Sequence, residues 1–494
     1  MLSRTDRWSV IVMPAILAVA ACSDQPTSPS PVFRAPSGPT ASLSTASGIP
    51  TGKTIVVFKD TSSIPAAGIT LLNSLGGTVT TSWDNIGVAI VTGLSTSALT
   101  SLSASALVQA VGNDRILNWL PQTKVLAVEG DALALPQNDP AKARYFADGT
   151  QWNMRIIGAD KAWAAGMQGL PSTRVAIVDT GIDYGHREIR TLVDQAASAS
   201  FSSLIVGEAG FEASVPVEPQ VPGDAAYMDN HFHGTHVAST VASNNISVAS
   251  IAPDITLIAV KVLNFQGSGT FEGVASGIRH AAGPANADVI NMSLGATVPA
   301  DEEGVPALLE LMSRVIRDAE KQGTIVISAA GNDALDLDQG NLVSTPCEQS
   351  TICVSATGPL LQQNFDQPAT YTNYGITAIE VAAPGGNATD EEGGYVNQDL
   401  IIGACSRRTS EPGLAVCRGN VDGVVYFYAY AAGTSMASPH VAGVAAQIKS
   451  ANPLLSVSGI KSKILSTADD IGVKGRDIYS NYGRVNLARA LGLK

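Results

Sequence analysis

The sequence is poor in cysteine, histidine and basic residues, and each shortage excludes a class of function. It has 5 cysteines in 494 residues and no C-x-x-C pair, so the ligand spacing of a structural zinc site is missing. Lys and Arg number 30 against 43 Asp and Glu, which gives a formal net charge of −13. Binding to nucleic acid needs clustered Lys and Arg to neutralise phosphates, so this composition excludes a nucleic-acid partner. The negative charge suits an exported protein that must stay soluble.

Nucleotide-binding motifs are also missing. No G-x-G-x-x-G follows the first strand of the long C-terminal part, and no G-x-x-x-x-G-K-[ST] occurs, so a nucleotide cofactor has no support. No internal repeat is evident. With 45% hydrophobic and 15% charged residues over 494 positions, the chain has the composition and the length for more than one globular domain.

The N-terminus has the organisation of an export signal. Two arginines precede a largely apolar run over residues 8–21, which at about 14 residues is short for a membrane span of roughly 20. The run ends in Val19-Ala20-Ala21-Cys22, which resembles the lipobox of bacterial lipoproteins, in which the cysteine becomes the acylated first residue. Ordinary signal cleavage after Ala18-Val19-Ala20 is the alternative. We expect residues 1–22 to be the signal segment, with a lipid anchor at Cys22.

A compositional change follows at residues 23–50, where 16 of 28 residues are Ser, Thr or Pro. Such a segment buries too little apolar surface to offset its chain entropy. We therefore predict an extended linker, which directly after an anchored Cys22 would act as a tether.

Residues 51–121 have the pattern of a small α+β domain. Strands are predicted at 53–58, 78–83, 87–92 and 115–120, and helical spacing occurs at 64–75 and 94–111. The order β-α-β-β-α-β is the ferredoxin-like arrangement, with an unrelated small α+β domain as the alternative. Turn formers and mixed charge at 122–150 indicate a junction between domains.

From residue 151 the pattern changes to apolar strands that alternate with helices. The predicted strands are 174–178, 256–262, 288–292, 324–328 and 352–355, and the predicted helices are 234–243, 270–282, 304–321 and 436–449. Alternation of this kind predicts an α/β fold for residues 151–494, with a mostly parallel sheet covered by helices on both faces. Residues 201–229 and 387–428 are interpreted as an insertion and an irregular segment.

Three segments of this last domain supply the groups of a serine nucleophile. Asp179 in Val178-Asp179-Thr180-Gly181-Ile182-Asp183 follows a predicted strand, where open α/β sheets hold their sites. His233 opens His-Gly-Thr-His-Val-Ala, and Ser435 lies in Gly-Thr-Ser-Met-Ala-Ser-Pro-His at a predicted helix start. A carboxylate, an imidazole and a hydroxyl are the minimum set for base activation of serine. Their order and flanks resemble the subtilisin-like serine proteases.

The resemblance implies a role for each residue. Asp179 would orient the imidazole, His233 would be the general base, and Ser435 would attack the scissile carbonyl. The family motifs do not select the neighbouring Asp183 and Ser438. Further along, Ile327-Ser328-Ala329-Ala330-Gly331-Asn332 resembles the segment whose asparagine donates to the oxyanion, which implies that role for Asn332.

The resemblance also implies how protein or peptide substrates bind. Ser268 and Gly269, and Ser293, Leu294 and Gly295, resemble the two family segments that flank an extended substrate backbone. Small residues suit such positions because backbone must approach backbone. Residues 51–121 are similar to the inhibitory propeptides of the family, so we expect a zymogen in which this domain is an intramolecular inhibitor and residues 122–150 are the processing junction.

Alternatives stay open at the level of sequence. His231, His233 and His236 lie within six residues and would also suit a metal-dependent hydrolase, although such sites usually need a further carboxylate. An inactive peptide-binding module on the same fold is another. No G-x-S-x-G surrounds Ser435, which disfavours an α/β-hydrolase. No cofactor is expected for the chemistry. A structural calcium near Glu188 and Asn244 is left unassigned, because two donors fall short of the six to eight that calcium takes.

Four cysteines remain once Cys22 is set aside: Cys347, Cys353, Cys405 and Cys417. An even number in an exported chain indicates disulfides. Of the three connectivities, we favour the local pairs 347–353 and 405–417, with four unpaired thiols as the alternative. Together these observations predict a secreted or lipid-anchored serine endopeptidase located outside the cytoplasm.

Overall fold

The computed structural model describes residues 48–120, 124–129, 136–202, 218, 221–389, 394–410, 412–418 and 426–494. Cys22, the predicted signal segment and the linker up to residue 47 lie outside these residues. Within the described part of the chain, no helix combines the length and the apolar character needed to cross a membrane.

The N-terminal part is an antiparallel sheet with two helices. Its elements are β1 (Ile49–Phe58), α1 (Ala66–Ser74), β2 (Thr78–Trp83), β3 (Val88–Thr92), α2 (Thr96–Ser103) and β4 (Val108–Asn118), and β5 (Lys124–Glu129) follows outside this sheet. The first four strands pair in the order β2-β3-β1-β4. One face of this sheet packs on α1 and α2 through Val56, Phe58, Leu72 and Leu102. We call residues 49–118 the N-terminal module.

One predicted helix of this module is wrong in extent. We expected a helix over 94–111, but α2 ends at Ser103 and β4 begins at Val108. Val108 and Val111 pair with Phe58 and Val56 of β1, so sheet pairing overrides the helical spacing of this stretch. β4 then runs to Asn118 and includes most of the strand predicted at 115–120.

The remaining elements follow in chain order. They are α3 (Arg144–Ala147), α4 (Trp152–Ile156), α5 (Ala159–Ala164), β6 (Arg174–Asp179), β7 (Ala199–Ser200), α6 (His233–Val241), β8 (Thr256–Lys261), β9 (Ser268–Thr270), α7 (Phe271–Ala282), β10 (Val289–Met292), β11 (Ala296–Pro299), α8 (Val305–Lys321), β12 (Ile325–Ala329), β13 (Leu342–Thr345), β14 (Ile352–Thr357), β15 (Val381–Pro384), β16 (Ile401–Ala404), β17 (Phe427–Ala432), α9 (Thr434–Ala451), α10 (Val457–Ser466) and α11 (Leu487–Ala490). The five strands and four helices predicted from periodicity are all present within a few residues.

The central sheet confirms the predicted fold class. Seven strands pair in the order β15-β14-β12-β10-β6-β8-β7, and every pair is parallel. Alternate residues of β6 face opposite cores: Val175 and Ile177 pack with α6 and α9, whereas Ala176 and Val178 pack with α7 and α8. Helices therefore cover both faces, and the carboxyl ends of the strands meet at one edge.

The second of these cores is shared with the N-terminal module. Ile55, Val57, Val88 and Ile90 lie in the same buried cluster as α7 and α8. The free face of the module sheet is thus buried against two helices of the larger domain, and burial of apolar area is the main term that holds the two parts together.

Two segments expected to be irregular contain strands. β5 lies in the predicted junction 122–150, and β16 lies within 387–428; both pair antiparallel with β17, in the order β16-β17-β5. Their pairing partner is far away in sequence, so local composition could not reveal it. The disulfides Cys347–Cys353 and Cys405–Cys417 are the pairs that we favoured.

Candidate active site

The structure brings Asp179 and His233 into direct contact. Asp179 is the last residue of β6 and His233 is the first of α6, and Nδ1 of the imidazole lies 2.8 and 3.0 Å from the two carboxylate oxygens. Both side chains are buried. A hydrogen bond between the two requires the imidazole proton on Nδ1, which leaves Nε2 as an acceptor, and Nε2 has no hydrogen-bond partner. A base is therefore oriented and free to accept a proton.

Main-chain atoms set the spacing of the two loops that carry these residues. A Cβ atom built on Gly234 would lie 2.1 Å from the carbonyl oxygen of Gly181, so the loops touch backbone to backbone. Gly181 also has a φ of +104°, a conformation that favours glycine.

Ser435 lies in the first turn of α9, where the helix dipole favours a developing negative charge. In this structure its hydroxyl donates to the carbonyl oxygen of Ser293 (3.0 Å) rather than to His233. The expected link between nucleophile and base is thus not formed. Contacts of this kind often tighten only when substrate is bound. Ser438 lies deeper in α9, where its hydroxyl donates to Asn291 (3.0 Å).

Asn332 follows β12 and presents an amide donor without an acceptor. Its Oδ1 accepts hydrogen bonds from the backbone N–H and the hydroxyl of Thr434, at 2.9 and 2.8 Å. Because an N–H can donate only to the amide oxygen, these contacts fix which end of the amide is Nδ2. That nitrogen is buried and has no partner. A buried N–H without an acceptor is rare, and one on a residue that binds Thr434, the neighbour of Ser435 in the chain, would suit an oxyanion.

The two glycine- and serine-rich segments lie along β4 of the N-terminal module. Ser268 and Gly269 of β9 pair with Asn118 and Leu117, so β9 extends the module sheet as a fifth strand. On the other side, the backbone N–H of Gly295 donates to the carbonyl of Trp119 (2.9 Å). Ser293 instead donates its hydroxyl to the carbonyl of Ser435 (2.8 Å), and Leu294 is buried in the core.

Trp119 is the most deeply held residue of this stretch. Its side chain is fully buried, its ring meets Phe271 edge-on at 4.8 Å, and its indole N–H donates to Gly269 (3.0 Å). Its backbone N–H donates to Gly267 (2.9 Å). A stretch of the chain therefore lies between both segments in the extended form that a bound peptide would take.

The chain meets the nucleophile region again after Trp119. In β5, Lys124 pairs with Ala432, which lies three residues before Ser435. Residues on both sides of 121–123, which lie outside the described residues, are thus fixed to elements that surround the hydroxyl.

The other two histidines of the cluster have structural surroundings. His236 donates through Nε2 to the carbonyls of Ile401 and Ala429, at 3.2 and 3.0 Å, and burial lowers its pKa to about 4. His231 stacks on Phe232, and burial lowers its pKa to about 3. In the described parts of the chain, no group of three or more His, Cys, Asp or Glu side chains could hold a metal ion.

Glu188 and Asn244 do not fit a calcium site. The Glu188 carboxylate accepts hydrogen bonds from the backbone N–H groups of residues 246–248 and from Tyr428 (2.6 Å). The amide oxygen of Asn244 accepts from Thr191 (2.7 Å). Protein donors therefore engage the oxygens that a calcium ion would need.

Asp229 belongs to the site but escaped the sequence analysis. Its carboxylate accepts from the backbone N–H groups of His231, Phe232 and Thr235, at 2.9, 3.0 and 2.9 Å, and thereby caps the start of α6. Burial raises its pKa. An Asp four residues before a helix-opening His is the signal that could have revealed it. Asp183, the other candidate carboxylate, is engaged by Arg407 (2.7 Å) and not by a histidine.

Comparison with known proteins relates this chain to one family of proteases. A family model described as the subtilase family matches residues 171–488, which is more than half of the chain. Subtilisin DY from Bacillus licheniformis is 32% identical over 342 residues, covering 69% of this chain and 97% of that protein. A thermostable alkaline protease from Halalkalibacterium halodurans is 34% identical over 341 residues, covering 69% of this chain and 73% of its own length.

Solved structures agree on the fold. The epidermin leader peptide processing serine protease from Staphylococcus aureus superposes with a TM-score of 0.65 at 20% identity, over 89% of this chain and 97% of that chain. A lanthipeptide protease gives a TM-score of 0.54 at 24% identity, over 69% and 92% of the two chains. At these identities the likeness concerns the fold alone. The sequence matches go further, and with them the chain belongs to the subtilase family as a serine endopeptidase.

Proposed function

We propose that this endopeptidase cleaves peptide bonds through Asp179, His233 and Ser435, and that Asn332 stabilises the oxyanion. The observation that carries the proposal is that two buried polar atoms have no hydrogen-bond partner, one on His233 and one on Asn332, which binds the residue next to Ser435. Nε2 of His233 needs a proton and Nδ2 of Asn332 needs an acceptor. When the Ser435 hydroxyl attacks a peptide carbonyl, its proton goes to Nε2, and the negative charge that forms on the carbonyl oxygen provides an acceptor for Nδ2.

The chemistry follows from this arrangement. Ser435 rotates away from the Ser293 carbonyl, gives its proton to His233 and attacks the scissile carbonyl. The imidazolium, stabilised by Asp179, then protonates the leaving amine, which departs and leaves an acyl-enzyme. Water, deprotonated by His233, hydrolyses the ester and restores the serine. No cofactor takes part in any step.

We infer further that the N-terminal module is an intramolecular inhibitor. In support, residues 116–119 lie against β9 and Gly295, the segments proposed to bind substrate backbone. Ser268, Gly269 and Gly295 engage this stretch through backbone atoms, which recognise any peptide that adopts the same extended form. Ser293 and Leu294 act by holding the segment in place.

Self-processing is proposed within the short stretch between Trp119 and Lys124. The support is that the carbonyl of Trp119 accepts a hydrogen bond from Gly295, whereas Lys124 pairs with Ala432, three residues before Ser435. The proposed stretch lies at the start of the junction 122–150 expected from the sequence and begins a few residues before it.

Active-site labelling tests the nucleophile. A fluorophosphonate should label wild-type protein at Ser435 and leave Ser435→Ala unlabelled. The wild-type protein should also keep its proteolytic activity in the presence of a metal chelator. Absence of labelling in processed, folded protein would contradict the triad and favour a peptide-binding module.

Processing is tested by the same variant. Ser435→Ala should fold, because loss of one hydroxyl changes little in packing. It should remain at full length, because the hydroxyl is the proposed nucleophile. Added active enzyme should then cut it, and mass spectrometry of the new N-terminus should place the cut between residues 119 and 124. Processing of the purified variant by itself would contradict self-cleavage.

We propose that the protein is exported, which the two disulfides support. Acylation at Cys22 would add membrane affinity of about 0.8 kcal/mol per buried methylene. Labelled palmitate should be incorporated into the wild type and not into Cys22→Ala. Absence of label in a bacterial host with lipoprotein machinery would leave a secreted enzyme.

A further inference from the structure

Three consecutive backbone carbonyls precede the catalytic histidine, and each accepts a hydrogen bond from one loop. The Ser406 hydroxyl donates to the carbonyl of Asp229 (2.6 Å), and the backbone N–H of Ser410 donates to that of Asn230 (2.7 Å). The Thr409 hydroxyl donates to the carbonyl of His231. We call residues 405–418 the clamp loop; the structure describes all of it except residue 411.

The Cys405–Cys417 disulfide closes the clamp loop at its base. Both cysteines are buried in one cluster with Leu414 and with Phe232, the residue immediately before His233. Phe232 has a φ of +126°, which a bulky residue rarely adopts. Surrounding structure must impose such a conformation, and the buried cluster that Phe232 shares with the two cysteines is part of those surroundings.

The same loop also reaches the strand end that carries the catalytic aspartate. The guanidinium of Arg407 binds Asp183 through Nε and Nη2, at 2.9 and 2.7 Å, and its backbone N–H adds a third bond at 2.9 Å. Burial by itself would raise the pKa of Asp183, but these contacts outweigh it and hold the pKa below its ordinary value. The backbone N–H of Asp183 in turn donates to the hydroxyl of Thr235 in α6 (2.9 Å).

We propose that the clamp loop is a positioning device for the catalytic pair, and that the Cys405–Cys417 bond is what makes it rigid. It holds residues 229–232 on one side and Asp183 on the other, so it fixes the imidazole of His233 relative to Asp179. No contact with substrate is assigned to the described residues of the loop. The inference rests on the proposed triad, because it assigns the loop a role only in the alignment of His233.

The main experiment compares the two disulfides. Cys405→Ser with Cys417→Ser should slow fluorophosphonate labelling of Ser435 by about 100-fold, because a displacement of about 1 Å in a catalytic group has this effect. Cys347→Ser with Cys353→Ser, the matched control, should label within about threefold of wild type. For a peptide substrate, kcat should fall while KM stays within about twofold. Equal labelling of the two double variants would overturn the proposal.

A second variant keeps the disulfide and guards against misfolding. Thr409→Val removes the hydroxyl at nearly constant volume and should slow labelling by about 10-fold, the effect of one hydrogen bond. Thr409→Ser keeps the donor and should restore the rate to within about twofold. Thr409→Val that labels at the wild-type rate would contradict the clamp.

Hydrogen exchange gives a readout that needs no catalysis. In the Cys405→Ser, Cys417→Ser variant, amides of residues 231–241 should exchange faster than in wild type, and they should be unchanged in the control pair. Unchanged exchange in both would overturn the clamp even if the wild type labels. If the wild type did not label, the proposed triad would fail, whereas exchange would still decide whether the loop holds this segment.

Discussion

Asp114 of the N-terminal module accepts a hydrogen bond from the backbone N–H of Glu272 in the first turn of α7 (3.2 Å). A carboxylate of one part of the chain thus caps a helix of the other. The hydroxyl of Thr51 donates to its second oxygen (3.1 Å). Burial, and the neighbouring Glu272 carboxylate, raise the pKa of Asp114 to about 7. Docking of the module is therefore linked to protonation.

We expect the docked module to lose stability as pH rises from about 4 to about 7. Asp114 binds its proton more tightly when docked than when exposed, so docking is favoured at low pH and the advantage is lost as pH rises through the raised pKa. Two ion pairs also join the module to the larger domain near Asp114: Lys53 with Glu272, and Arg115 with Glu302. Urea unfolding of the module in the Ser435→Ala precursor at pH 5 and pH 8 measures the effect. Asp114→Asn should remove most of the difference; an equal difference would contradict the assignment.

Trp119 should carry much of the inhibition. A peptide covering residues 112–120 should inhibit the processed enzyme, and Trp119→Ala should weaken it by about 100-fold or more, because loss of a buried Trp costs about 3–5 kcal/mol. Asn118→Ala, an exposed neighbour, should change inhibition by less than about fivefold. Equal inhibition by both altered peptides would show that the indole is not bound in solution.

Arg314 of α8 should hold the module in place. Its buried guanidinium donates to the carbonyls of Phe58 and Ile86, at 2.8 and 2.7 Å, and to Gln109 (2.6 Å). Arg314→Met leaves these acceptors unpaired and should weaken docking by about 2–5 kcal/mol. Limited proteolysis of the Ser435→Ala precursor by trypsin should then cut the module faster. Arg317→Met, half-exposed on the same helix, is the control and should behave as wild type.

Asn332→Asp should separate catalysis from folding. The change keeps an oxygen for Thr434 but removes the amide donor, so kcat should fall by about 100- to 1,000-fold, the range known for this donor in subtilisin itself. KM and the thermal midpoint should change little. A wild-type kcat in this variant would require another donor for the oxyanion.

Five of the seven strands of the central sheet were predictable because each has a recognisable local pattern, whereas β7 and β15 were not predicted. β6 and β10 are short apolar runs, and α8 has a clear apolar stripe, so periodicity located them within a few residues. The candidate triad could also be predicted from the sequence, because each of its three motifs is an unbroken run of residues and a parallel sheet brings strand ends together. The ion pair of Asp183 could not be predicted, because its partner Arg407 lies far away in the sequence.

What escaped prediction depends on partners distant in sequence. Val108–Val111 has helical spacing, yet pairing with β1 makes it a strand. Lys124–Glu129 looks like a linker until β17 is placed beside it. In the sequence, Asp229 is only a polar residue shortly before a histidine. The three backbone N–H groups that donate to its carboxylate are brought together only when α6 forms. Contacts of this kind are products of the fold rather than of the local sequence.

The contact between Gly181 and Gly234 limits how this enzyme can change by mutation. Even one added methyl group at residue 234 would need space that the opposing main chain occupies. Replacement of Gly234 by any residue with a side chain is therefore disfavoured. Variation near Asp179 and His233 must therefore enter through residues that approach this pair from outside the two turns. The proposed clamp loop is one such place, because its side chains bond to Asp183, Asp229 and His231, which lie outside the contact between the two glycines.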